Sequence, residues 1–143
     1  MSSLNSRKCL AWIWMTMAWL LLCGCSDYAS MTPPKTFKVR GKVIWANGQP
    51  LRGGQITFHP EASASSEAFA EIEKDGTFVL ATFGKDDGAM PGRYRVSLAP
   101  LSYKTGLPRQ VVVLPKQYLD PRTSGLTAEV MEQETQLPEF RLN

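Results

Sequence analysis

The chain has 143 residues, with 16 Lys and Arg against 13 Asp and Glu, one histidine and three cysteines. That length fits one domain and a short leader. A formal net charge of +3 leaves no basic footprint for nucleic acid. All three cysteines fall within the first 25 residues, so the rest of the chain holds neither a disulfide nor a thiolate metal ligand.

Arg7 and Lys8 lead an apolar run over residues 9–22, and the small residue Gly24 follows. Basic, apolar and small residues in that order describe a secretion signal. About 14 apolar residues fall short of the roughly 20 needed to span a bilayer. Leu22-Cys23-Gly24-Cys25 resembles the lipobox of bacterial lipoproteins. The resemblance implies cleavage after Gly24, a diacylglycerol thioether on Cys25 and an acylated new amino group. It also implies a location in the cell envelope, where Ser26 favours the outer over the inner membrane. Such a cut leaves 119 residues with 14 Lys and Arg against 13 acids. Residues 1–24 are thus expected to be the signal peptide, and 25–35 the lipidated cysteine and a tether. Residues 26–35 lack periodicity and end on Pro33-Pro34-Lys35.

Residues 36–143 are expected to form one antiparallel β-sandwich of about seven strands. From Thr36 the pattern alternates with period two, as in half-buried strands. Phe37, Val39, Gly41, Val43 and Trp45 share one face, and Lys38, Arg40 and Lys42 the other. Asn47-Gly48 breaks the run, and a second strand follows at Gln55–His59 with Ile56 and Phe58 inward. Residues 60–67 read as a polar loop. Ala68–Glu73 and Thr77–Thr82 flank Lys74-Asp75-Gly76, where Asp-Gly predicts a hairpin with a type I′ turn. Pro91-Gly92 suits a type II turn before Arg93–Leu98. Weaker runs lie at Gln110–Leu114, at Leu126–Met131 and at Phe140 and Leu142. No window shows a helical period. The predicted core is Val39, Val43, Ile56, Phe58, Ile72, Phe78, Leu80, Tyr94, Val96 and Phe140.

Gly41-Lys42-Val43, Gly48-Gln49-Pro50-Leu51, Gly53-Gly54 and Ile56-Thr57-Phe58 occur in that order, followed by Asp75-Gly76-Thr77-Phe78 and Pro91-Gly92-Arg93-Tyr94. In this order and spacing, residues 38–98 resemble the carboxypeptidase regulatory-like domain, a transthyretin-type (prealbumin-like) β-sandwich. Leu114-Pro115-Lys116-Gln117-Tyr118, Thr123-Ser124-Gly125-Leu126-Thr127 and Phe140-Arg141-Leu142 resemble a subfamily of small planctomycete lipoproteins. The matched residues are turn formers and inward apolar side chains, so the resemblance implies a fold and a location but no active site.

The inventory of reactive groups argues against an enzyme. His59 sits at the polar phase of a strand end, where a solvated side chain is expected, and no second histidine exists to build a zinc site. Ser97, Ser102 and Ser124 lack a Gly-x-Ser-x-Gly elbow and a base placed by sequence. Asp86-Asp87, with Asp75 elsewhere, carry the hard oxygens that calcium takes, but EF-hand spacing is absent and Asp and Gly in loops are usually turn formers. Lys38, Lys42 and Asn143 suggest an adhesin-type cross-link, yet both lysines fall on the polar face. Tyr103, Tyr118, Trp45 and Phe83 could form a stacking surface for sugars, although aromatics at sandwich edges are more often core plugs. The expectation is a non-catalytic, cofactor-free, lipid-anchored envelope protein with a structural or adhesive role. Its partners are the membrane and an envelope protein, and the alternative is an envelope polysaccharide-binding module.

Overall fold

A computed structural model of the chain describes residues 34–100 and 112–143. Residues 34–143 form one compact unit. Eight strands run in chain order as β1 Val39–Trp45, β2 Gln55–Pro60, β3 Ala68–Glu71, β4 Thr77–Val79, β5 Gly92–Ala99, β6 Leu126–Val130, β7 Thr135–Gln136 and β8 Phe140–Leu142. A single 3-10 turn spans Lys116–Leu119, and no α-helix occurs among the described residues. One sheet has the order β4-β1-β7, with β8 also paired to β1, and the other the order β3-β2-β5-β6. The all-β expectation holds, as two four-stranded sheets consistent with a sandwich.

The inner faces follow from alternation. Val39 and Val43 of β1, Ile56 and Phe58 of β2, Phe78 of β4, and Tyr94, Val96 and Leu98 of β5 are all buried. Ile72, Leu80 and Phe140 join them, so each of the ten predicted core residues lies in the core. Burying a large apolar side chain contributes about 1.5–3 kcal/mol, so this set can hold the sheets together without a staple. Leu51, Tyr118 and Leu142 are buried as well.

The strands are not all antiparallel. β7 and β8 both run parallel to β1, with Val39 opposite Thr135 and Val43 opposite Phe140. They behave as one edge strand broken at Pro138, which has no N–H for the ladder. Two-residue β7 is too short to show an alternation, which is why the strand count rises from seven to eight. The run at Gln110–Leu114 is not a strand where it is described, since Val112–Leu114 have no regular structure.

Two turns differ from expectation. Gly76 N–H donates to Glu73 O and Glu73 N–H to Thr77 O, so the loop has three residues, Lys74-Asp75-Gly76. Gly76 has φ +83° while Asp75 keeps a negative φ, as in a type I turn followed by a left-handed glycine. Asp75 Oδ1 accepts from the Thr77 amide and hydroxyl, which stabilises this turn and holds the carboxyl below its usual pKa. The flanking strands then separate into different sheets, β3 pairing with β2 and β4 with β1. Phe69 of β3 bridges instead to Ala81, two residues past the end of β4. The Asp-Gly turn is therefore a crossover between sheets. At the second turn Gly92 has φ +145°, far from the roughly +80° of a type II turn, because it already pairs with Val130.

A Cβ on Gly76 would lie 2.5 Å from Val43 O, in addition to the strain of a positive φ. Gly76→Val should lower stability by about 1–3 kcal/mol, read as a fall in denaturant midpoint. Gly41 offers a second check, because a Cβ there would meet the Phe78 ring at 2.4 Å. Gly41→Ala should cost about 1–3 kcal/mol by overpacking a buried ring.

Candidate functional site

On the outer face of the second sheet β2 lies beside β5, with Thr57 opposite Ser97 and His59 opposite Arg95. The loop after β2 returns Glu67 to His59. His59 Nδ1 is 2.7 Å from Glu67 Oε1, and Nε2 is 2.8 Å from Ser97 Oγ. A carboxylate can only accept, so Nδ1–H donates to Glu67, and Nε2 shares a hydrogen bond with the Ser97 hydroxyl. The His59 side chain is 29% exposed, not the solvated group expected from its strand phase. Beside it, Arg95 Nε pairs with Glu61 at 3.2 Å. Asp120 is close enough to feel the charge of this cluster. Hydrogen bonds from the Arg122 side chain, then its amide, hold its carboxyl at about 2, with a smaller contribution from His59.

Serine, histidine and carboxylate in that order form the proton relay of a nucleophilic serine. The surroundings fit a structural role better. Ser97 sits in mid-strand and is only 8% exposed, and neither groove described below reaches it. Acyl transfer needs room for a carbonyl within about 3 Å of the nucleophile. The relay instead ties the loop at 61–67 to the sheet and satisfies a buried hydroxyl. Ser124, also a sequence candidate, donates its hydroxyl to Val96 O and is 7% exposed. Ser102 lies outside the described residues.

The acidic candidates are likewise occupied. Asp87 Oδ1 accepts from the Thr82 amide, and Oδ2 from the Phe83 and Gly84 amides. Desolvation is the largest single influence and raises its pKa, but the three amide bonds outweigh it and the net shift is downward. Asp86 adopts a left-handed φ of 55° in this loop. Among the described residues no group of three or more His, Cys, Asp or Glu is placed to hold a metal.

The aromatic candidates separate. Tyr118 is 3% exposed and its hydroxyl accepts from the Asn143 amide, so it is a core plug. Trp45 packs against the core, and Tyr103 lies outside the described residues. Phe83 is 51% exposed and shares an open groove of about 350 Å³ with Phe69, 49% exposed, beside Glu71, Lys85 and Asp86. Phe69 was not among the sequence candidates. Its signal was an aromatic at the outward phase of β3, opposite inward Ala70. Lys38 is exposed and Lys42 half-buried, and both remain on the outer face of β1.

A second groove, of about 480 Å³, opens between β6 of one sheet and the β7–β8 segment of the other. Tyr94, Ala128, Leu137 and Phe140 line it, with Arg93 and Glu129 beside them. The Tyr94 hydroxyl donates to Met90 O at 2.8 Å, and burial raises its pKa. Cys25, the sequence candidate for lipid attachment, lies outside the described residues. No family model, curated protein or solved structure was found to match the chain.

Two measurements check these assignments. His59→Ala should lower stability by about 1–2 kcal/mol by orphaning the Ser97 hydroxyl, and a fluorophosphonate probe should leave Ser97 unlabelled. Labelling of the wild type that Ser97→Ala abolishes would establish a nucleophile instead. Asp87 has a folded pKa below its ordinary 3.8. Its contribution is therefore complete above that value and is lost as pH falls through the folded pKa. Asp87→Asn should cost about 1 kcal/mol at neutral pH, and the gap to wild type should close in acid.

Proposed function

We propose that the chain is a non-catalytic protein of the cell envelope, anchored by lipid on Cys25 and more often at the outer than the inner membrane. Its β-sandwich, of the carboxypeptidase regulatory-like, transthyretin-type kind, serves a structural or adhesive role through its sheet edges and loops. The observation that carries this reading is where the distinctive residues lie. Ile56, Phe58, Phe78, Tyr94 and Val96 are buried between the sheets, and Gly48, Gly54 and Gly76 take up positive φ at reversals. These residues serve packing and chain reversal. The polar groups that could do chemistry hold turns and loops together.

A second reading, binding of an envelope polysaccharide, is favoured by Phe69 and Phe83. Two half-exposed rings beside carboxylate and ammonium groups offer apolar faces for sugar rings and polar partners for hydroxyls.

Anchoring is tested by mass spectrometry of the envelope fraction, which should find Cys25 diacylated. Cys25→Ser should leave the chain unprocessed and unlabelled by a palmitate analogue, since stable anchoring needs two or more acyl chains. An unmodified Cys25 in the wild type sinks the anchoring proposal. The two binding readings separate by co-sedimentation with purified envelope polysaccharide. If the sugar reading holds, Phe69→Ala and Phe83→Ala should each weaken retention about fivefold, equivalent to about 1 kcal/mol per ring. Absence of retention leaves the structural or adhesive role.

A further inference from the structure

The geometry points to β6, Leu126–Val130, as a self-association edge that pairs antiparallel with β6 of a second copy of this chain. This goes beyond the proposed role and does not depend on it.

The four lateral edges of the two sheets are not equivalent. β4 has three residues, and β8 has three beyond the break at Pro138. The free side of β3 is closed by Ala81, which exchanges two 2.9 Å backbone hydrogen bonds with Phe69. β6 has five residues, pairs with β5 on one side only, and has no strand on the other among the described residues. An unpaired strand edge is a template for another chain unless something blocks it.

The sequence of β6 selects the occupant. Leu126-Thr127-Ala128-Glu129-Val130 is complementary to itself about Ala128. Antiparallel pairing centred there sets Leu126 opposite Val130 of the second copy, Thr127 opposite Glu129, and Ala128 opposite Ala128. The apolar pairs then lie on the inner face, where Val130 is already buried, and the polar pairs on the outer face, where Thr127 and Glu129 are exposed. Shifting by one residue would set an inward side chain against an outward one. Centring on Glu129 would oppose two carboxylates, and centring on Thr127 would leave Glu129 facing Gly125. Only the Ala128-centred register keeps all five residues matched in face and charge. The result is an eight-stranded sheet running through both copies. The second copy would also cover the mouth of the groove beside β6, and Met131, 55% exposed just past the strand, lies next to the joint.

The test is sedimentation equilibrium of the full chain in detergent, with variants on the exposed face that leave the core untouched. Wild type should show a monomer–dimer equilibrium at concentrations below about 1 mM. Thr127→Glu sets carboxylates opposite each other twice per dimer and should raise Kd about tenfold. Thr127→Lys sets an ammonium opposite Glu129 twice and should lower Kd several-fold. The exchange Thr127→Glu with Glu129→Thr restores one carboxylate against one hydroxyl and should return Kd to the wild-type value. The N-terminal apolar segment is common to every variant, so association through it would not follow these charges. A monomeric wild type overturns the proposal, as does a dimer whose Kd is the same in all four proteins. Either result leaves the anchoring and polysaccharide measurements untouched.

Discussion

Phe58 is the contact on which the sandwich depends. Its ring centroid lies 5.9 Å from Tyr94 in its own sheet, and 6.1 and 6.2 Å from Phe78 and Phe140 in the other. Phe78 and Phe140 in turn stack at 6.2 Å. Strands β2, β4, β5 and β8 therefore share one aromatic cluster across the interface. Such pairs add about 0.5–1.5 kcal/mol each beyond the area they bury. Phe140 also explains how the parallel edge is held, since β8 contributes few ladder bonds but anchors its ring at the centre. The missing side chain at Gly41 is part of the same arrangement, because the Phe78 ring occupies the space a Cβ would need.

From that cluster outward, small polar side chains settle the loops. Asp75, Asp87 and Asp120 each accept hydrogen bonds from nearby backbone amides. Each carboxyl titrates below its ordinary range, Asp75 chiefly through the Thr77 hydroxyl, Asp120 through the Arg122 guanidinium, and Asp87 through the amides of Thr82, Phe83 and Gly84, which outweigh its desolvation. The His59 relay does similar work over a longer span, joining the loop after β2 to β5. A reactive-looking constellation can thus arise from loop closure alone. Exposure and room for a substrate, more than hydrogen-bond distances, separate it from a nucleophilic centre.

Surface character divides along the sheet edges. The β3–β4 side carries two open phenylalanines and a closed strand edge, whereas β6 has no second strand beside it among the described residues. Aromatic faces suit ligands without an extended backbone, whereas an open edge suits another strand. The fold consequently offers two chemically different surfaces on opposite flanks, neither of which uses the core.

Alternation in the sequence determined the inner faces of β1, β2 and β5, and with them Val39, Val43, Ile56, Phe58, Tyr94 and Val96 of the predicted core. Period two is a local property of a strand, and burial on one face follows wherever the sheet forms. The cysteine distribution likewise left the domain to stand on packing alone. Tertiary structure decided which strands pair. Asp75-Gly76 specifies a reversal, but the pairing of β3 with β2 and of β4 with β1 sets the two arms in different layers. The parallel placement of β7 and β8 depends on a return from the other sheet, which no local pattern encodes. The meeting of His59, Ser97 and Glu67 depends on strand register and a loop path, so three unremarkable polar residues gave no sign of each other. Phe69 was visible as an outward aromatic, yet its groove exists only because Phe83 arrives from another loop.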